Sequence, residues 1–154
     1  MIVSIEAGRK IYDPVLGKLG DEFVDGIVED FQKAGIKVLS VAGKTVSKYS
    51  PADVTIEIGD KSVRLQIEKR FHTLEHFLTV HLPKESLDFN FLIESSLSGN
   101  LFMTTVDYVK ISPLVDVPNK YGGEHEPFYN IPSEAFTIFS REHFIEWWKS
   151  LCLV

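Results

Sequence analysis

The chain has 154 residues, 44% hydrophobic, 25% charged and 12% aromatic; that is the length of one domain, burying roughly 70% of the extended chain's surface, and the balance excludes a disordered or linker protein. Sixteen basic against 22 acidic side chains leave a formal charge of -6, a mean field that repels phosphate backbones and anionic membranes. A single cysteine, Cys152, excludes an internal disulfide, and the apolar runs are too short for a signal peptide or a membrane span, so a cytoplasmic setting without a membrane partner is expected.

The first strong element is LGDEFVDGIVEDFQKAG, in which Phe23, Ile27 and Phe31 recur every four residues beside Val24 and Val28. This spacing predicts an amphipathic helix. Asp21 and Glu22 are expected in its first turn, Lys33 in its last, and Gly35 as the left-handed stop. Residues 36–41, IKVLSV, then read as a strand.

From Val54 the period becomes two. Val54, Ile56 and Ile58 share one face, Val63, Leu65 and Ile67 continue it after the IGDKS turn, and a β-hairpin follows. LDFNFLIE repeats the alternation, with Leu87, Phe89, Phe91 and Ile93 set against Asp88, Asn90 and Glu94. LFMTTVDYVKI reads as one further strand to Ile111. Residues 112–132, with four prolines and two glycines, read as an ordered surface loop.

The chain closes with SREHFIEWWKSL. Ser140 is placed to cap a helix whose Phe144, Trp147, Trp148 and Leu151 fall at i, i+3, i+4 and i+7. Cys152 is expected to pack as a small apolar residue beside Leu151, Leu153 and Val154. These elements predict one α+β domain over 1–154: an N-terminal amphipathic helix, a curved antiparallel meander of about five or six strands, and a C-terminal helix closing the core.

Three constellations could carry chemistry. On the first helix Glu22, Asp25 and Glu29, spaced i, i+3 and i+7, occupy one face; with the loop tip Glu124 to Glu126 they would form a docking surface for a basic protein. The densest basic residues, among them Lys61, Arg64 and Arg70, are scattered and read as a solvated face rather than a nucleic-acid groove. In FHTLEHF, residues His72, Glu75 and His76 match the H-x-x-E-H zinc pattern if the segment is helical, and diverge if it is a turn. His125 lies in the polar GGEHEP tip, which reads as a solvated turn.

The third constellation is the hairpin. Asp53 opens its first strand, and Gln66 and Glu68 lie two apart on the polar face of the second, so their side chains could converge on one divalent ion. With the acidic helix around Glu22 and Asp25 ahead of it, the segment 18–70 resembles the PD-(D/E)xK nuclease superfamily, which pairs an Asp at one strand's start with Glu and Lys two apart on the next. The resemblance implies a nuclease that uses Mg²⁺ or Mn²⁺ and acts on nucleic acid, with Asp53 and Glu68 as ligands and Gln66 completing the site. PAD stands here for PD, Gln66 for the acid, and Glu68 for the lysine; Lys69 is one residue out of phase.

The main expectation from composition is therefore a non-enzymatic acidic protein that binds a basic partner, as a toxin-neutralising immunity protein does, with no cofactor. The alternative is the metal-dependent nuclease, or a degenerate relative retained for binding.

Overall fold

The computed structural model describes residues 3–5, 9–11, 14–41, 53–69, 79–83, 87–96, 98–118 and 125–152. Two short strands, β1 (Val3–Ile5) and β2 (Arg9–Ile11), form an antiparallel pair ahead of helix α1 (Pro14–Lys33). Strands β3 (Lys37–Val41), β4 (Val54–Ile58) and β5 (Lys61–Lys69) follow as an antiparallel meander. After β6 (Thr79–Pro83) come β7 (Phe91–Ser95), β8 (Leu101–Thr105) and the short helix α2 (Val106–Lys110). The chain continues through β9 (Leu114–Pro118), β10 (His125–Pro132), a single 3-10 turn at Ser133–Ala135, β11 (Thr137–Phe139) and helix α3 (Arg141–Cys152).

The expected α+β arrangement is present, with its two terminal helices and a sheet of six strands in the order β11-β8-β7-β5-β4-β3. That sheet is mixed, because β5 and β7 run parallel. A parallel pair needs a crossover of a dozen or more residues, and the interval 70–90 is long enough to supply one. β6, β10 and β9 form a separate three-stranded sheet.

Both faces of the large sheet are covered. On one, Ile27 and Phe31 of α1 and Phe144 and Trp148 of α3 meet Val54, Ile56, Leu65 and Ile93 of the strands. Phe31, Phe144 and Trp148 contact one another at 6.0 to 6.2 Å between ring centres, with Trp148 edge-to-face against both phenylalanines and the two phenylalanines tilted at 53°. On the other, Leu92 and Phe102 pack with Val109 of α2 and with Tyr129 and Ile131 of β10. Strand β7 thus lies between two apolar layers, and the expected polar face of LDFNFLIE holds only before the strand: Asp88 is exposed and Asn90 half-buried, whereas Glu94 is as buried as Leu92 and Ile93.

Three further expectations are corrected. Helix α1 begins at Pro14, so Asp21 and Glu22 lie beyond its first turn; Pro is favoured at a first helical position, whereas Gly17 and Gly20 weaken the pattern behind it. The run to Ile111 is not all strand, because Thr105 turns the chain into α2 by accepting a hydrogen bond from the Tyr108 N–H at 3.3 Å. The proline-rich segment 112–132 contains two strands. Pro127 pairs with β9 beyond the end of the β6 ladder, and Pro132 pairs with β6 beyond the end of the β9 ladder. Each proline therefore sits where β10 has one neighbour, the position in which a missing N–H is tolerated. As expected, Gly35 ends α1 with φ +81, and Ser140 Oγ accepts from the His143 N–H at the start of α3. Cys152 is exposed rather than packed.

Candidate metal centre at the β4–β5 hairpin

The hairpin that carries the site is fixed by a two-residue turn at Gly59 and Asp60, with Gly59 at φ +63, and by a register that sets Val54 opposite Leu65. Alternation then sends Val54, Leu65 and Ile67 into the core and leaves Gln66 and Glu68 on the opposite face. One more residue back along β4 brings Asp53 to the end of the ladder. There its Oδ2 accepts a hydrogen bond of 2.8 Å from the Ile67 N–H. Gln66 Nε2 donates to Glu68 Oε1 at 3.2 Å, so the three residues expected to form a site are brought together.

The electrostatics single out Asp53. Burial pushes its carboxyl up from the ordinary 3.8 to about 6; the Ile67 N–H pulls the other way, and the charges of Glu68 and then Asp21 raise it further. A carboxylate that is half out of water and faces two other acids is an electrostatic debt in the folded chain. Asp21, on α1, is one of the two acids expected in the first turn of that helix; the packing of α1 brings its charge to Asp53.

The donors fit a hard divalent cation. Asp53 keeps one oxygen clear of the Ile67 bond, Glu68 offers a second carboxylate, and Gln66 retains an amide oxygen; Mg²⁺ is commonly held by one or two carboxylates with waters completing the shell. Among the described residues no set of three or more His, Cys, Asp or Glu side chains is gathered for an ion. Asp53 and Glu68 are the two carboxylates of the hairpin available to such an ion.

His72, Glu75 and His76 lie outside the described residues, as does Glu124, while β10 runs through His125 and Glu126 without their side chains being described. Glu22 and Glu29 on α1 are exposed and Asp25 is half-buried. The neighbouring stripe of that helix is occupied by the chain itself: Arg141 of α3 pairs with Asp30 at 2.7 Å and lies 6.0 Å from the centre of the Phe23 ring. No helix among the described residues is long and apolar enough to cross a membrane.

No family model matches this sequence, and no curated protein matches it. Among solved structures, the chain is similar to Hjc of Archaeoglobus fulgidus, a Holliday junction resolvase from an archaeal hyperthermophile, at 13% identity and a TM-score of 0.49, over 76% of this chain and 91% of that one. With this finding, the expectations of a non-enzymatic inhibitor or immunity protein, of a basic protein partner and of no cofactor are corrected: the similar protein is a resolvase of DNA junctions. The fold supplies the physical reason. Arg141 pairs with Asp30 beside the acidic stripe of α1, and Asp53 is crowded by the charges of Glu68 and Asp21.

Proposed function

We propose that this chain is a divalent-metal-dependent nuclease of the PD-(D/E)xK type, hydrolysing phosphodiester bonds in nucleic acid with Asp53 and Glu68 as ligands of Mg²⁺ or Mn²⁺. The observation that carries the proposal is the Asp53 carboxyl, held by the Ile67 N–H and crowded by Glu68 and Asp21; the likeness to the resolvase has no part in it. When bound, the ion supplies an activated water and neutralises charge on the phosphate. The chain's own residues set the geometry. The backbone N–H of Ile67 occupies Asp53 Oδ2 and would leave Oδ1 for the ion, and the Gln66 amide donates to Glu68 Oε1 and orients it. A cytoplasmic setting belongs to the same proposal, supported by the free, exposed thiol of Cys152.

Gln66 and Glu68 stand where the superfamily has an acid and a lysine, which favours one second reading: a degenerate relative that binds nucleic acid without cutting it. Cleavage assays with Mg²⁺ or Mn²⁺ separate the two. The nuclease reading expects metal-dependent cleavage that Asp53→Ala abolishes, and a rise in melting temperature on adding metal, since a ligand at 100 times its Kd stabilises by about 2.7 kcal/mol. A folded preparation that neither cleaves nor gains stability with either ion removes it.

A further inference from the structure

One strand away from Glu68 lies a carboxylate that the proposed centre has not yet used. Glu94, on β7, is wholly buried, at 0% exposure. The parallel register sets Glu94 beside Glu68, and the antiparallel register on its other side sets it beside Phe102. Register partners leave a sheet on the same face, and neighbouring strands are about 5 Å apart, so the two carboxylates emerge side by side. Its neighbours on that face include Leu92 and Phe102, members of the apolar layer under β10, and Glu94 has an interaction of its own within the fold.

A carboxylate at 0% exposure acts on its neighbours with little water between them, so any charge on it is weakly screened. Whatever negative potential it carries reaches Glu68 directly, and its bulk restricts the directions in which Glu68 can turn. On this basis we infer that Glu94 is a positioning residue of the β4–β5 metal centre: it does not ligate the ion but holds Glu68 toward Asp53 and strengthens the attraction for a divalent cation. The inference rests on the metal-centre reading above.

The competing role is structural. Glu94 is not isolated within the fold, and a carboxylate that served only its own contact would matter for folding and not for metal. Calorimetric titration of Mn²⁺ into the full chain and into Glu94→Gln distinguishes these. The expected result is about a 10-fold loss of Mn²⁺ affinity in the folded variant, the size of effect seen when a group behind a ligand is removed. Unchanged affinity together with a lowered melting temperature would overturn the inference and leave the metal centre standing. Failure of the unaltered chain to bind Mn²⁺ would instead overturn the metal centre and this inference with it. Should Glu94→Gln not fold, the unaltered chain decides the matter: the side-chain carboxyl ¹³C resonance of Glu94 should shift on Mg²⁺ titration with the same midpoint as that of Glu68, and a silent Glu94 would sink the inference.

Discussion

At the scale of single residues, Asp53 has a measurable cost. Its carboxyl titrates near 6 in the folded chain, above the ordinary 3.8, so between these values the folded state binds more protons than the unfolded one. Stability therefore falls as pH rises from about 4 to about 6, and the cost is fully present above that window. The full displacement corresponds to about 3 kcal/mol, of which solvent screening at a partly exposed group leaves about 1–2 kcal/mol. Asp53→Asn keeps an oxygen for the Ile67 N–H and removes the charge. It should raise the melting temperature by a few degrees at pH 7, at roughly 2–4 °C per kcal/mol for a chain of this size, and change little at pH 4; thermal scans at the two pH values check this. Metal binding runs the opposite way, because the ligand must be deprotonated, so metal-dependent cleavage should climb as pH passes through about 6. Asp53, Gln66 and Glu68 were legible in the sequence because alternation gives Gln66 and Glu68 one face and the short turn brings Asp53 back beside them. Asp21 and Glu94 were not, since one reaches the site by helix packing and the other by a parallel pairing that no local pattern announces.

At the scale of elements, what could be read from the sequence was whatever carried its own period or cap. The stripe of α3 and its Ser140 cap are local, and both are present. Replacing Ser140 with Ala should cost about 1 kcal/mol, measured as a lower denaturation midpoint with an unchanged slope. Helix α2 was missed because β-branched Thr104, Thr105 and Val106 continue the composition of β8. The signal available was Thr105 followed by Asp107 in the first turn. Strands β9 and β10 were missed because their prolines read as turns, whereas each occupies a place where the ladder is one-sided. The direction of β7 depended on the crossover through 70–90, which alternation within strands does not encode.

At the scale of the whole molecule, charge and packing set the conditions under which the centre could work. A chain of net charge -6 repels phosphate, so nucleic-acid affinity should depend on the divalent ion. Fluorescence anisotropy with a labelled duplex is expected to show at least a tenfold loss of affinity when EDTA replaces Mn²⁺; affinity that persists without metal would favour the binding-only relative. The site is carried by the same two layers that stabilise the fold. Trp148 and Phe144 press α3 onto the face opposite Gln66 and Glu68. Trp148→Ala should cost about 3–5 kcal/mol and lower metal affinity only through the fraction unfolded. Calorimetry below and above the melting point of the variant checks that separation.

Strand β3 lies at one of the two edges of the large sheet, opposite β11, and its pairing with β4 shifts between Val38 and Ser40, with half-exposed Leu39 at the irregularity. A straight outer strand offers its unused backbone groups as a template on which another chain can add itself, whereas a kinked one bearing a charged residue such as Lys37 offers a poor match. Copies of this protein should therefore resist joining edge to edge through β3 at high concentration, despite the β-rich middle of the chain. Removing Leu39 to straighten the strand would open that route to fibrous association.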